Sequence, residues 1–132
     1  MAVRMLLTVT AVAETGVGVL LLWSPPLVAR LLLGVPVDAP AAVVVGRIAG
    51  AALLSLGVAC WLARDDGPGR TQRALVAAML LYNSAAVAVL VTAGASGKLV
   101  GVLLWPAVAL HVAMAVWCVA GLRPGGSVRP AD

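Results

Sequence analysis

Glu14, Arg47, Tyr82, Asn83 and His111 are the side chains best equipped for chemistry, and each interrupts a long apolar run. A carboxylate and a guanidinium are natural partners, because the planar fork of arginine matches the two carboxylate oxygens. Glu14 or His111 would also suit a general acid or base, tuned by burial beside the charge of Arg47. Tyr82, Asn83 and His111 bring the donors and acceptors that a buried pair needs. Asn83 is the better interior candidate, since adjacent helical residues point in different directions and a tyrosine ring can rest between neighbours. His111 is the single histidine of the chain, so neither a bis-histidine haem set nor a zinc set is expected around it. Cys60 and Cys118 are too far apart for a CxxC motif and are expected to be small apolar fillers near one membrane boundary. No nucleophile–base pair or metal signature stands out, so neither a catalytic residue nor a cofactor is assigned.

The elements that must position these groups are membrane helices. Of the 132 residues, 63% are hydrophobic and 11% charged, whereas a soluble domain carries roughly 25% charged residues. Apolar runs cover about residues 3–23, 41–63, 74–93 and 99–122, each close to the ~20 residues that cross a hydrocarbon core. The first run mimics a signal peptide, with Arg4 before it and Ala11-Val12-Ala13 as a cleavage site. Too few apolar residues precede that site, however, and the run continues to Trp23. Ser24-Pro25-Pro26, the Gly/Pro-rich stretch between Arg64 and Arg73, and Gly94 to Gly97 break the runs. Between Ser24 and Gly34, residues 25–33 suit a short helix lying at the membrane interface, with Ser24 as its cap, Gly34 as its stop and Arg30 reaching toward headgroups. The expected fold is all-α: a four-transmembrane-helix bundle, one integral membrane domain over residues 1–132. The Gly/Pro-rich tail after Leu122 is expected to fray.

Gly46 and Gly50 form a GxxxG pattern around Arg47, continued by Gly57, and Gly16 and Gly18 flank Glu14 on the first span. Such small faces suit close helix packing within the bundle. Pro106 falls within the fourth run, where it either kinks the helix or sits harmlessly in its first turn.

Arg4, Arg64, Arg70, Arg73, Arg123 and Arg129 lie on the side of the two termini, and Arg30 and Lys98 on the other. The positive-inside rule therefore places both termini in the cytoplasm. Trp23 and Trp105 fall at one boundary and Trp61 and Trp117 at the other, the pattern of an aromatic belt. At ~1.5 Å per residue, Glu14 lies roughly 14 Å, Arg47 roughly 9 Å, and Asn83 and His111 roughly 15 Å from the outer boundary. All four spans thus bring polar groups to nearly one layer. An isolated charge at that depth costs ~3 kcal/mol on insertion scales, so Glu14 and Arg47 are expected to pair inside the bundle.

The N-terminal span with its embedded Glu14, the segment SPPLVARLLLG and the span GRIAGAALLSLGVACWLAR together resemble small four-span membrane proteins of bacteria, DoxX-like families among them. The resemblance covers about residues 3–122 and implies a bacterial cytoplasmic (inner) membrane location. DoxX-like proteins are linked to membrane redox and accessory roles, which the resemblance extends to this chain only as an expectation. No site residue is carried over from it.

Composition excludes nucleic acid as a partner, because the net charge of +4 sits at span ends rather than on a basic surface. The lipid bilayer is the expected partner, with a homo-oligomer or larger membrane complex as a further one. Two roles suit the polar centre: it binds a small or lipid-like ligand or supports an accessory subunit, or it fixes which helix packs where. An intramembrane enzyme on an apolar substrate and an oligomeric proton-coupled transporter are the alternatives.

Overall fold

The computed structural model describes residues 2–67 and 69–123. They form five helices: α1 (Ala2–Trp23), α2 (Pro25–Leu33), α3 (Pro40–Ala63), α4 (Arg70–Ala95) and α5 (Leu104–Leu122). All but α2 are long and apolar enough to cross a membrane. The chain is a small all-α, multi-pass membrane protein with a short helix between its first and second spans.

The glycines of the first and second spans explain the tightest packing. α1 and α3 run antiparallel in intimate contact. A Cβ on Gly18 would come 2.7 Å from the Leu54 nitrogen and 2.8 Å from the Gly50 oxygen, and one on Gly50 would come 2.8 Å from the Gly18 oxygen. Gly57 packs against Thr15 and the Ala11 carbonyl in the same way. Gly46 instead rests on the ring of Pro25, and Gly16 faces open space. Small residues thus let two backbones touch, the usual device where lipid removes any hydrophobic drive between helices. α4 and α5 make the second close pair, while α1 meets α5 and α3 meets α4 more sparsely.

Polar contacts hold Arg4, Arg64 and Arg73 at one end of the bundle. Arg4 Nε lies 2.8 Å from Asp65 Oδ1, and Arg64 Nε lies 3.1 Å from Asp65 Oδ2. Donation from Arg64, helped by the charge of Arg4, holds the Asp65 carboxyl below its ordinary range. Arg64 also stacks over the Trp61 ring, 3.2 Å from its centroid. Arg73 Nη2 donates to the Leu122 carbonyl at 3.3 Å, satisfying one of the open acceptors at the C-terminus of α5. The start of α1, the end of α3, the start of α4 and the end of α5 therefore share this terminal end, and the spans alternate in direction. Arg129, Pro68 and the tail from residue 124 lie outside the described residues.

The fourth span begins later than its apolar run suggests, at Leu104 rather than residue 99. The reason lies in α2. The Gly101 N–H donates to the Leu32 carbonyl (3.0 Å) and the Leu103 N–H to the Leu31 carbonyl (2.9 Å), so donors that would start a helix are used to bind the end of α2. Only glycine fits at position 101, because a Cβ there would run into the Leu31 carbonyl oxygen. Pro106 is consequently in the first turn of α5, where its missing N–H has no helical acceptor to lose. The ladder starts cleanly from Ala107 to Leu103 at 2.9 Å, and the alternative of a kink deep in the span falls away.

α2 stops where expected: Gly34 adopts φ 77° and its N–H donates to the Arg30 carbonyl. Ser24 occupies the cap position, but its side chain makes no capping bond. Its backbone carbonyl accepts from Leu27 and Val28 instead. Arg30 is exposed, whereas Pro25 and Val28 are buried, so α2 folds back onto the bundle by its apolar side.

The core is one-sided along the membrane normal. Leu6, Leu7, Cys60, Val76, Met79 and Cys118 form a closed cluster in the terminal half. In the α2 half, Leu104 is fully buried and a space remains between the helix pairs.

Candidate functional site

Glu14 lies in the middle of α1 on the face that bears Leu7, Thr10 and Gly18, and only 7% of it is exposed. Its neighbour is α4. The Tyr82 hydroxyl lies near the Glu14 carboxyl, farther off than the hydrogen-bonded groups that follow. Asn83, 2% exposed, donates through Nδ2 to the Met79 carbonyl one turn back at 2.7 Å. Its Oδ1 stands 2.8 Å from His111 Nδ1 on α5. Tyr82 meets the same imidazole edge-on, with ring centroids 5.7 Å apart. Adjacent residues on a helix diverge, yet both reach His111, which sits between their two directions. Three spans therefore contribute to one polar chain: Glu14, Tyr82, His111, Asn83.

Arg47 does not join it. It is exposed on α3, on a stripe with Ala51 and Val58 at helical spacing, away from the flank where Ala49 and Leu53 face α4. Among the described residues, both ion pairs centre on Asp65 and neither involves Glu14 or Arg47. The expected pair of Glu14 with Arg47 is corrected on two grounds. Gly50 and Gly57 set the rotation of α3 against α1 and turn Arg47 outward. Glu14 has the neutral Tyr82 hydroxyl nearby, and no guanidinium pairs with it among the described residues. From its place in the helix Arg47 lies ~10 Å from the α2 end, within reach of headgroups for a long side chain that snorkels.

The sequence pattern did not single out Thr10. It lies one turn from Glu14 toward the terminal end, 1% exposed, and its Oγ1 has no partner among the described residues. The i, i+4 spacing from Glu14 was the available signal. Cys60 and Cys118 are both free and fully buried in the core cluster of that half.

Above the polar chain, toward α2, a crevice of about 490 Å³ opens between the helix pairs. Its walls are Val17 and Leu21 of α1, Ala49 and Leu53 of α3, and Ala85, Ala86, Val89 and Leu90 of α4. Val28 and Leu32 of α2 cover it, so the short helix expected to lie at the interface is also the roof of a cavity. Among the described residues, Tyr82 and His111 are the only polar side chains that line it. Val89 is 66% exposed, so the side between α3 and α4 is open toward the surrounding lipid.

No protein-family model, curated protein or solved structure matches this chain. What stands is a layout of four candidate spans with a short helix after the first. Among the described residues no group of three or more histidine, cysteine or acidic side chains is placed to hold a metal.

Proposed function

We propose that this protein is a non-enzymatic membrane module that binds a small, largely apolar ligand in the crevice between its helix pairs. One observation carries this reading: an apolar-walled space of about 490 Å³ whose polar lining, among the described residues, is Tyr82 and His111 alone. Ligand pockets commonly measure roughly 300–1,000 Å³ and combine apolar walls with few placed polar groups. A polar network serving only to register helices needs no empty space beside it.

An enzyme acting on an apolar substrate is the second reading, favoured by the hydrogen-bonded His111 at the crevice wall. It is weaker because Glu14, the other acid–base candidate, stands behind Tyr82 and does not line the crevice. We further read the terminal end as cytoplasmic and the host membrane as a bacterial inner membrane.

The test is to purify the protein in mild detergent, identify co-purifying lipids by native mass spectrometry, and repeat with Leu53→Trp and Ala86→Trp. Both substitutions fill the crevice from opposite walls. Bound small molecules should be lost from both variants while their helicity is retained. Equal lipid occupancy in the wild type and both filled variants would remove the crevice as the binding site.

A further inference from the structure

Hydrogen bonding around His111 determines what the crevice offers a ligand. Asn83 Nδ2 donates to the Met79 carbonyl at 2.7 Å, which orients the amide with its nitrogen toward the backbone. The oxygen that remains, Oδ1, faces His111 Nδ1 at 2.8 Å. An amide oxygen only accepts, so Nδ1 carries the hydrogen of the neutral ring. Nε2 then presents a lone pair. Tyr82 does not fill it, because the tyrosine meets the imidazole ring against ring, edge-on, with centroids 5.7 Å apart. Among the described residues, no hydrogen bond to Nε2 competes with a ligand, and His111 lines the crevice.

From this geometry we infer that the ligand is an apolar alcohol, which places its hydroxyl on His111 Nε2 and its hydrocarbon body against the walls of the crevice. The inference rests on the crevice being a ligand site, and it adds the chemical class. A ketone, ester or ether of the same shape has no hydrogen to donate and would leave its own oxygen unpaired beside an acceptor, which costs affinity in a dry site. The hydrocarbon body has two directions open to it. Val17 and Leu53 flank the way toward the roof formed by Val28 and Leu32, and Val89 flanks the lipid-facing side. Asn83 acts here as a positioning residue, since it touches the imidazole and fixes its tautomer without lining the crevice.

Because the chain contains one histidine, its imidazole can be read by ¹⁵N NMR without assignment ambiguity. The protein is reconstituted in phosphatidylcholine nanodiscs and titrated with farnesol and with farnesyl methyl ether. The wild type should show the Nδ1–H tautomer, and Asn83→Leu should lose that preference. Farnesol should bind about tenfold more tightly than the ether and move the Nε2 resonance. In Leu53→Trp both compounds should bind weakly. Farnesol and the ether binding equally in the wild type, or an Nε2–H tautomer there, would overturn the alcohol inference and leave the crevice reading standing. Neither compound binding better to the wild type than to Leu53→Trp would overturn both.

Discussion

Asn83 is the residue on which the polar chain depends, because it is buried, donates to Met79 and accepts from His111. Removing its amide leaves an imidazole N–H without a partner in the bundle interior. Hydrogen bonds between membrane helices average about 0.6 kcal/mol, whereas orphaning a buried group costs about 1–3 kcal/mol. The second effect dominates here, and Asn83→Leu should lower stability by roughly 1–2 kcal/mol in reversible unfolding in bicelles. Arg47 makes the opposite prediction. It faces outward and pairs with nothing in the polar chain, so Arg47→Leu should leave the unfolding midpoint and the His111 spectrum unchanged. A large loss of stability would restore the pair with Glu14. The depth of Glu14, Asn83 and His111 was legible in the sequence, since depth follows from counting residues along a span. The facing of Arg47 was not. It depends on how Gly50 and Gly57 dock against α1, and helical spacing alone does not say which flank of α3 meets which neighbour.

Among the elements, the α1–α3 contact tests cleanly because two glycines on one helix have opposite surroundings. A Cβ on Gly18 would strike the backbone of Leu54 and Gly50, and one on Gly16 would meet nothing within 4 Å. Alanine is better than glycine in a helix by about 1 kcal/mol when it meets no obstacle. Gly16→Ala should therefore hold or slightly raise the thermal midpoint in detergent. Gly18→Ala must push two backbones apart and should lower it by several degrees. If the two variants melted alike, close approach of α1 and α3 would not be a source of stability. The α2 connection gives a parallel test. A Cβ at position 101 collides with the Leu31 carbonyl, so Gly101→Ala should release the roof helix and increase hydrogen exchange at Val28 and Leu32 while sparing the core of the terminal half. The span boundaries could be read from hydropathy and breakers to within about a turn, save at the start of α5. There the tertiary bond to α2 overrides an apolar run that local pattern alone would make helical.

For the molecule as a whole, orientation in the membrane follows from where the fold collects charge. Arg4, Arg64, Arg70, Arg73 and Arg123 mark one end among the described residues, and Arg30 and Lys98 the other. The outward turn of Arg47 does not alter this asymmetry, since a residue within a span is no part of a loop. Basic residues resist translocation, so the terminal end should stay in the cytoplasm. The native thiols make the experiment quiet, because Cys60 and Cys118 are fully buried and should not react with a membrane-impermeant maleimide. Asp66→Cys adds an exposed thiol at the terminal end and Asp38→Cys one at the α2 end. In intact cells or right-side-out vesicles only Asp38→Cys should label, and Asp66→Cys should label only after the membrane is opened. The reverse pattern would invert the protein and place the roof of the crevice on the cytoplasmic side. Labelling of both from one side would imply mixed insertion. Because the crevice lies nearer the α2 end, the first outcome puts it in the outer half of the bilayer, and a ligand would then be drawn from the outer leaflet through the open side between α3 and α4.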